Sequence, residues 1–95
     1  MSQTIERPRT GGPDSGLGGN WNVIVVNDDH NTFDGVAQAL AKNVPGFDLD
    51  KGYAMADRIH RSGLAIVWSG HKELAEHYWD LLRDEGLSMA PLEQA

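Results

Sequence analysis

Asn22-Val23-Ile24-Val25-Val26-Asn27-Asp28-Asp29-His30-Asn31-Thr32-Phe33 is the stretch on which the reading of this fold turns. Val23 to Val26 are four apolar, mostly β-branched residues. They read as a buried strand, because branching at Cβ suits the pleated backbone. The strand runs directly into four polar residues, Asn27 to His30. Asn31 then predicts a helix cap, with Asp34 three residues on and Phe33 opening an apolar periodicity. The outcome is a strand-to-helix corner crowded with side-chain acceptors and held by a rigid element on each side. Two adjacent carboxylates with no basic residue beside them in sequence suit a cation.

Before this stretch, residues 1–20 are rich in Gly and Pro and almost free of large apolar side chains. Such a segment cannot bury enough surface to offset the entropy of ordering, so a flexible N-terminal tail is expected there. Residues 21–95 are expected to form one small core domain, too small for a large enclosed cavity. The chain of 95 residues carries a formal net charge of −6. That charge disfavours nucleic acid, whose phosphates need clustered Lys and Arg. The absence of cysteine excludes a disulfide framework and thiolate metal sites, and fits a reducing compartment. No apolar run approaches the about 20 residues of a membrane-spanning helix. The N-terminus lacks the apolar core of a signal peptide, so a cytoplasmic protein is expected.

Beyond the corner, Phe33, Val36, Leu40 and Val44 recur at spacings of three and four, which predicts a helix from about Thr32 to Asn43 that ends at Pro45-Gly46. A second helix is expected from Asp48 or Leu49. Its inner face is Leu49, Tyr53, Ala56 and Ile59 or His60, and Gly63 follows its end in the left-handed position. Leu64 to Trp68 reads as a second strand. A third helix is expected from about His71 to Asp84, with Leu74, Tyr78, Leu81 and Leu82 as its stripe and Gly86 closing it. Leu87 to Glu93 reads as a last strand, placed at an edge by Pro91. The order βααβαβ predicts an α+β two-layer sandwich with a small three-stranded sheet against three helices. The sequence leaves the order of the strands in the sheet open.

The corner admits several chemical readings. Asn and Asp commonly form polar turns that satisfy their own backbone. Asp28, Asp29, His30 and His60 offer ligands for a metal-dependent hydrolase, but adjacent carboxylates without a spaced partner do not match a metal-ligand pattern. Acid–base catalysis by the pair lacks a nucleophile or a phosphate-cradling loop. His60, late in the second helix, is at such a place more often a structural residue than a ligand, but the tight hairpin around Pro45-Gly46 is expected to bring it to face Asn27. A neutral imidazole nitrogen and an Asn carbonyl both accept hydrogen bonds, which is what an ammonium group requires. Trp68 and Trp79 read as packing residues, since no basic groove accompanies them.

The run Val-Ile-Val-Val-Asn-Asp-Asp followed by Asn-Thr-Phe-Asp-x-Val resembles the ClpS family of N-degron adaptors. So do Ile59-His60 with Gly63-Leu64-Ala65, then Glu73-x-Ala75-Glu76, and the closing Leu92-Glu93. The resemblance extends from Trp21 to the C-terminus. It implies an adaptor with neither catalytic activity nor cofactor, which binds a bulky hydrophobic N-terminal residue (Leu, Phe, Tyr or Trp). It further implies delivery of that protein to a ClpA or ClpC unfoldase working with ClpP. By the same resemblance Asn27 and His60 hold the substrate's α-amino group with help from Asp28 and Asp29. Val26, Asn31, Phe33, Val36, Ala56 and Ile59 then line the side-chain pocket. Glu73, Glu76 and Tyr78 fall on the region that docks to the unfoldase N-domain, Tyr78 standing where some members have Lys. Ala56 stands where many members carry a Met that gates against β-branched residues, which leaves space that Phe33 partly refills. A bacterial, cytoplasmic monomer is expected. The competing reading is a plain interaction module, since the same small sandwich resembles the C-terminal domain of the bacterial ribosomal stalk protein.

Overall fold

In the computed structural model, which describes residues 19–95, the elements follow the expected order. The expected tail, residues 1–20, lies outside the described residues apart from Gly19 and Asn20. Strand β1 (Trp21–Val26) is central in an antiparallel sheet of order β2-β1-β3, with β2 at Leu64–Gly70 and β3 at Glu93–Gln94. Helices α1 (Phe33–Asn43), α2 (Leu49–Ser62) and α3 (Lys72–Asp84) contribute to one apolar core with the sheet. Val23 and Val25 of β1 are fully buried there among Leu40, Ile59, Trp79 and Leu82. This is an α+β sandwich.

Several local expectations are corrected. The cap of α1 is Thr32, whose Oγ1 accepts from the Gly35 amide at 2.9 Å. Asn31 is instead drawn into the corner, where its amide side chain has better partners. On α2 the buried face is Gly52, Ala56 and Ile59, while Leu49 and Tyr53 are exposed. The reason is a close helix crossing: a Cβ at Gly52 would lie 2.6 Å from the Ala37 carbonyl oxygen, so α1 meets α2 at the glycine. On α3 the buried stripe is Ala75, Trp79 and Leu82, with Leu74 turned to solvent. The large indole of Trp79 takes the core position, and its Nε1 donates to the Ala90 carbonyl at 2.7 Å.

The expected strand over Leu87 to Glu93 is regular only at Glu93–Gln94. Upstream it follows β1 through separate contacts: a bridge between Val25 and Met89, Val26 N–H to the Ser88 carbonyl, and Ala90 N–H to the Ile24 carbonyl. Pro91 has no N–H to donate, which interrupts the ladder. These contacts nevertheless lay residues 87–88 beside the end of β1.

Candidate functional site

The end of β1 is fastened on both sides. Val26 N–H donates to the Ser88 carbonyl at 2.8 Å, and Asn27 N–H donates to the Gly63 carbonyl at 2.9 Å. Gly63 is the left-handed cap of α2, with φ of 90°, and its own N–H closes the helix on the Ile59 carbonyl. His60 lies less than one turn before that cap. One carbonyl therefore joins the strand end that carries Asn27 to the helix end that carries His60.

Asp28 organises the loop that follows. Its Oδ1 accepts from the amides of His30 (3.1 Å) and Asn31 (2.8 Å), and its Oδ2 from Asn31 Nδ2 (2.7 Å) and Ser88 Oγ (2.6 Å). Asn31 Nδ2 also donates to the Gly86 carbonyl at 2.9 Å. Burial alone raises the Asp28 pKa, but the bonds from Ser88, Asn31 and His30 outweigh it and hold the carboxyl well below the usual carboxylate range,. The side chains of Asn27, Asp29 and His60 accept no hydrogen bond among the described residues. The corner thus contains saturated acceptors that set its shape and unspent acceptors that face outward.

These groups border a pocket of about 250 Å³. The ten residues expected from the sequence stand around it together: Asn27, Asp28, Asp29 and His60, with Val26, Asn31, Phe33, Val36, Ala56 and Ile59. Val36, Ala56 and Ile59 are buried and form its floor, whereas Phe33 remains 41% exposed. The Phe33 ring meets His60 edge-on, with centroids 5.4 Å apart. Asp28 and Asp29 are the only Asp, Glu, Lys or Arg residues in the lining, so the pocket pairs a negative polar end with an apolar hollow. That combination fits a molecule with a cation and a bulky apolar group on the same carbon. Among the described residues no cluster of three His, Asp or Glu could hold a metal ion.

Val25, Thr32, Leu87 and Ser88 also line the pocket and were not assigned to it from the sequence. Of the Leu87-Ser88-Met89 segment, Leu87 and Ser88 line the pocket and Met89 lies in the core. Glu73, Glu76 and Tyr78 lie on α3, outside the pocket lining. Glu73 is exposed, and the Tyr78 ring packs on Trp68 with centroids 4.9 Å apart.

Residues 18–93 match the family model for the ATP-dependent Clp protease adaptor protein ClpS. This chain belongs to the ClpS family. A ClpS adapter protein of Synechocystis is 51% identical over 76 residues, which are 80% of this chain and 78% of that protein. One from Nostoc is 50% identical over the same length and shares of each chain. Among solved structures, Agrobacterium tumefaciens ClpS2 bound to L-phenylalaninamide superposes with a TM-score of 0.67 at 22% identity. It covers 81% of this chain and 98% of that one, a likeness of fold. ClpS proteins are adapters of the Clp protease and not catalysts.

Proposed function

We propose that this ClpS-family chain binds proteins through their N-terminal residue when that residue is bulky and hydrophobic. Leu, Phe, Tyr and Trp are the expected set. The observation that carries the reading is that three unspent acceptors, on Asn27, Asp29 and His60, line the same pocket of about 250 Å³ as its apolar hollow. A chain's free α-amino group has a pKa of about 8 and is mostly an ammonium at neutral pH. Each charge-assisted hydrogen bond to it contributes about 1.5–3 kcal/mol. Burying a Leu or Phe side chain contributes about 1.5–3 kcal/mol more. After the costs of association, this sum corresponds to dissociation constants of about micromolar order. The phenylalaninamide held by the Agrobacterium relative, an aromatic side chain beside a free amine, supports the same reading.

Asn27 and His60 accept from the ammonium, and the charge of Asp29 favours it by proximity. Asp28, whose acceptor sites are filled, shapes the corner and adds its negative charge to the field there. Val26, Asn31, Phe33, Val36, Ala56 and Ile59 receive the first side chain. Delivery then goes to the N-domain of a ClpA or ClpC unfoldase in the bacterial cytoplasm, with Glu73, Glu76 and Tyr78 as the docking surface of a monomeric adaptor. The test is a titration with a Phe-initial peptide and its N-acetylated twin. The free-amine peptide is expected to bind at least a hundredfold more tightly, about 2.7 kcal/mol. Equal affinity for the two removes the ammonium from the reading.

A further inference from the structure

Ser88 reaches the corner from sixty residues away in sequence, and its hydroxyl supplies the last of four hydrogen bonds to the Asp28 carboxylate. The other three come from the corner's own loop, through the His30 and Asn31 amides and Asn31 Nδ2. Asn31 Nδ2 in turn spends its second hydrogen on the Gly86 carbonyl. Two side-chain bonds thus tie the corner to residues 86–88, and Val26 N–H to the Ser88 carbonyl adds a third link at the strand end. Residues 86–88 also supply the Leu87 wall of the hollow. Leu87 is itself fixed from behind, its N–H on the Leu82 carbonyl of α3.

We propose that Ser88 is a positioning residue of this site. Its hydroxyl closes a clasp that holds the Asn27-Asp28-Asp29 corner at a fixed separation from the Leu87 wall. The clasp sets where an incoming ammonium lands when the first side chain is seated. This deepens the reading of the preceding subsection and rests on it.

The argument is one of reach. An N-terminal residue has its ammonium and its side chain on the same carbon, so their separation is fixed by covalent geometry. A site that grips both must keep its two halves at a matching distance, and hydrogen bonds tolerate little error in that distance. The polar half rides on the loop after β1 and the Leu87 wall on the segment after α3. Asp28–Ser88 is the direct side-chain contact between them, and the Asp28 side chain is only 13% exposed. Water therefore has limited room to replace the hydroxyl.

The test compares the full chain with its Ser88→Ala and Ser88→Thr variants. Affinity is read by fluorescence anisotropy with a Phe-initial peptide, and the N-acetylated twin serves as control. Ser88→Ala is expected to weaken binding of the free-amine peptide at least fivefold. Ser88→Thr, which keeps the hydroxyl, is expected to return to within twofold of wild type. Carbon-detected NMR of the unliganded protein gives a second readout. The Asp28 carboxyl is expected to titrate at higher pH in Ser88→Ala than in wild type or Ser88→Thr, with His30 Nε2, 3.8 Å away, the neighbouring titratable group. Should Ser88→Ala not fold, Ser88→Cys, a much weaker donor, replaces it with the same expected loss. Unchanged or tighter binding in the hydroxyl-less variant overturns the inference, as does failure of Thr to restore affinity. A wild type that does not distinguish free from acetylated peptide overturns the parent reading and this one together.

Discussion

Asp28 and Asn31 shape the polar end of the pocket through five hydrogen bonds, whereas Val36, Ala56, Ile59 and Leu87 shape its apolar end by packing. On the proposed reading the two ends discriminate differently. Hydrogen-bond acceptors are directional, and leaving them buried without a donor is costly, so the polar end is suited to a yes-or-no decision on a free amine. Packing is non-directional and changes by small steps with volume, so the apolar end is suited to ranking side chains.

The difference is broken most severely at the acceptors. Asn27→Ala or His60→Ala is expected to weaken binding of a Leu- or Phe-initial peptide more than tenfold, about 1.4 kcal/mol or more. Calorimetric titration checks this, and wild-type affinity in both variants contradicts the division of labour. Asp28→Asn tests the saturated half. It is expected to cost about 1–2 kcal/mol of stability near neutral pH, by weakening charge-assisted bonds. Because the Asp28 pKa is depressed in the folded state, the stability it contributes is fully present above the unfolded carboxylate value of about 4,. That contribution is lost as pH falls through the folded value. Denaturant melts of wild type and Asp28→Asn are therefore expected to converge in acid and separate above about pH 5. A gap that does not depend on pH removes the carboxylate from the account. The smallest effect belongs to the apolar end: Ala56→Met fills the floor and is expected to lower affinity for Ile- and Val-initial peptides several-fold, about 1 kcal/mol. Phe-initial peptides are expected to change less, and equal changes across the series place Ala56 away from the seated side chain.

The order of elements was legible because strong punctuation separates them. Gly46, Gly63 and Gly86 all adopt positive φ, and the run Val23 to Val26 admits little but a buried strand. Helix faces were read less well. Leu74 and Leu49 satisfied an apolar period yet face solvent, because neighbouring Gly52 and Trp79 settle how α2 and α3 sit. Those are tertiary matters: a glycine chosen for close approach carries no apolar signal, and an indole claims the volume a leucine would have filled. The pocket residues of β1, α1 and α2 could be named through the resemblance to the ClpS family, whose motif is here contiguous or one helical hairpin away. Leu87 and Ser88 could not, since it is tertiary contacts, among them the bonds to Val26 and Asp28, that lay their segment alongside the strand end.

Gly63 has one more implication. It terminates α2 and simultaneously receives the Asn27 amide, so the phase of the helix is locked to the strand. A single residue inserted between His60 and the cap would swing the imidazole through about 100° around the helix axis. The spacing from His60 to Gly63 is thus a ruler: sequence drift can recolour the hollow freely, but lengthening this short step would turn the imidazole away from the pocket it now lines.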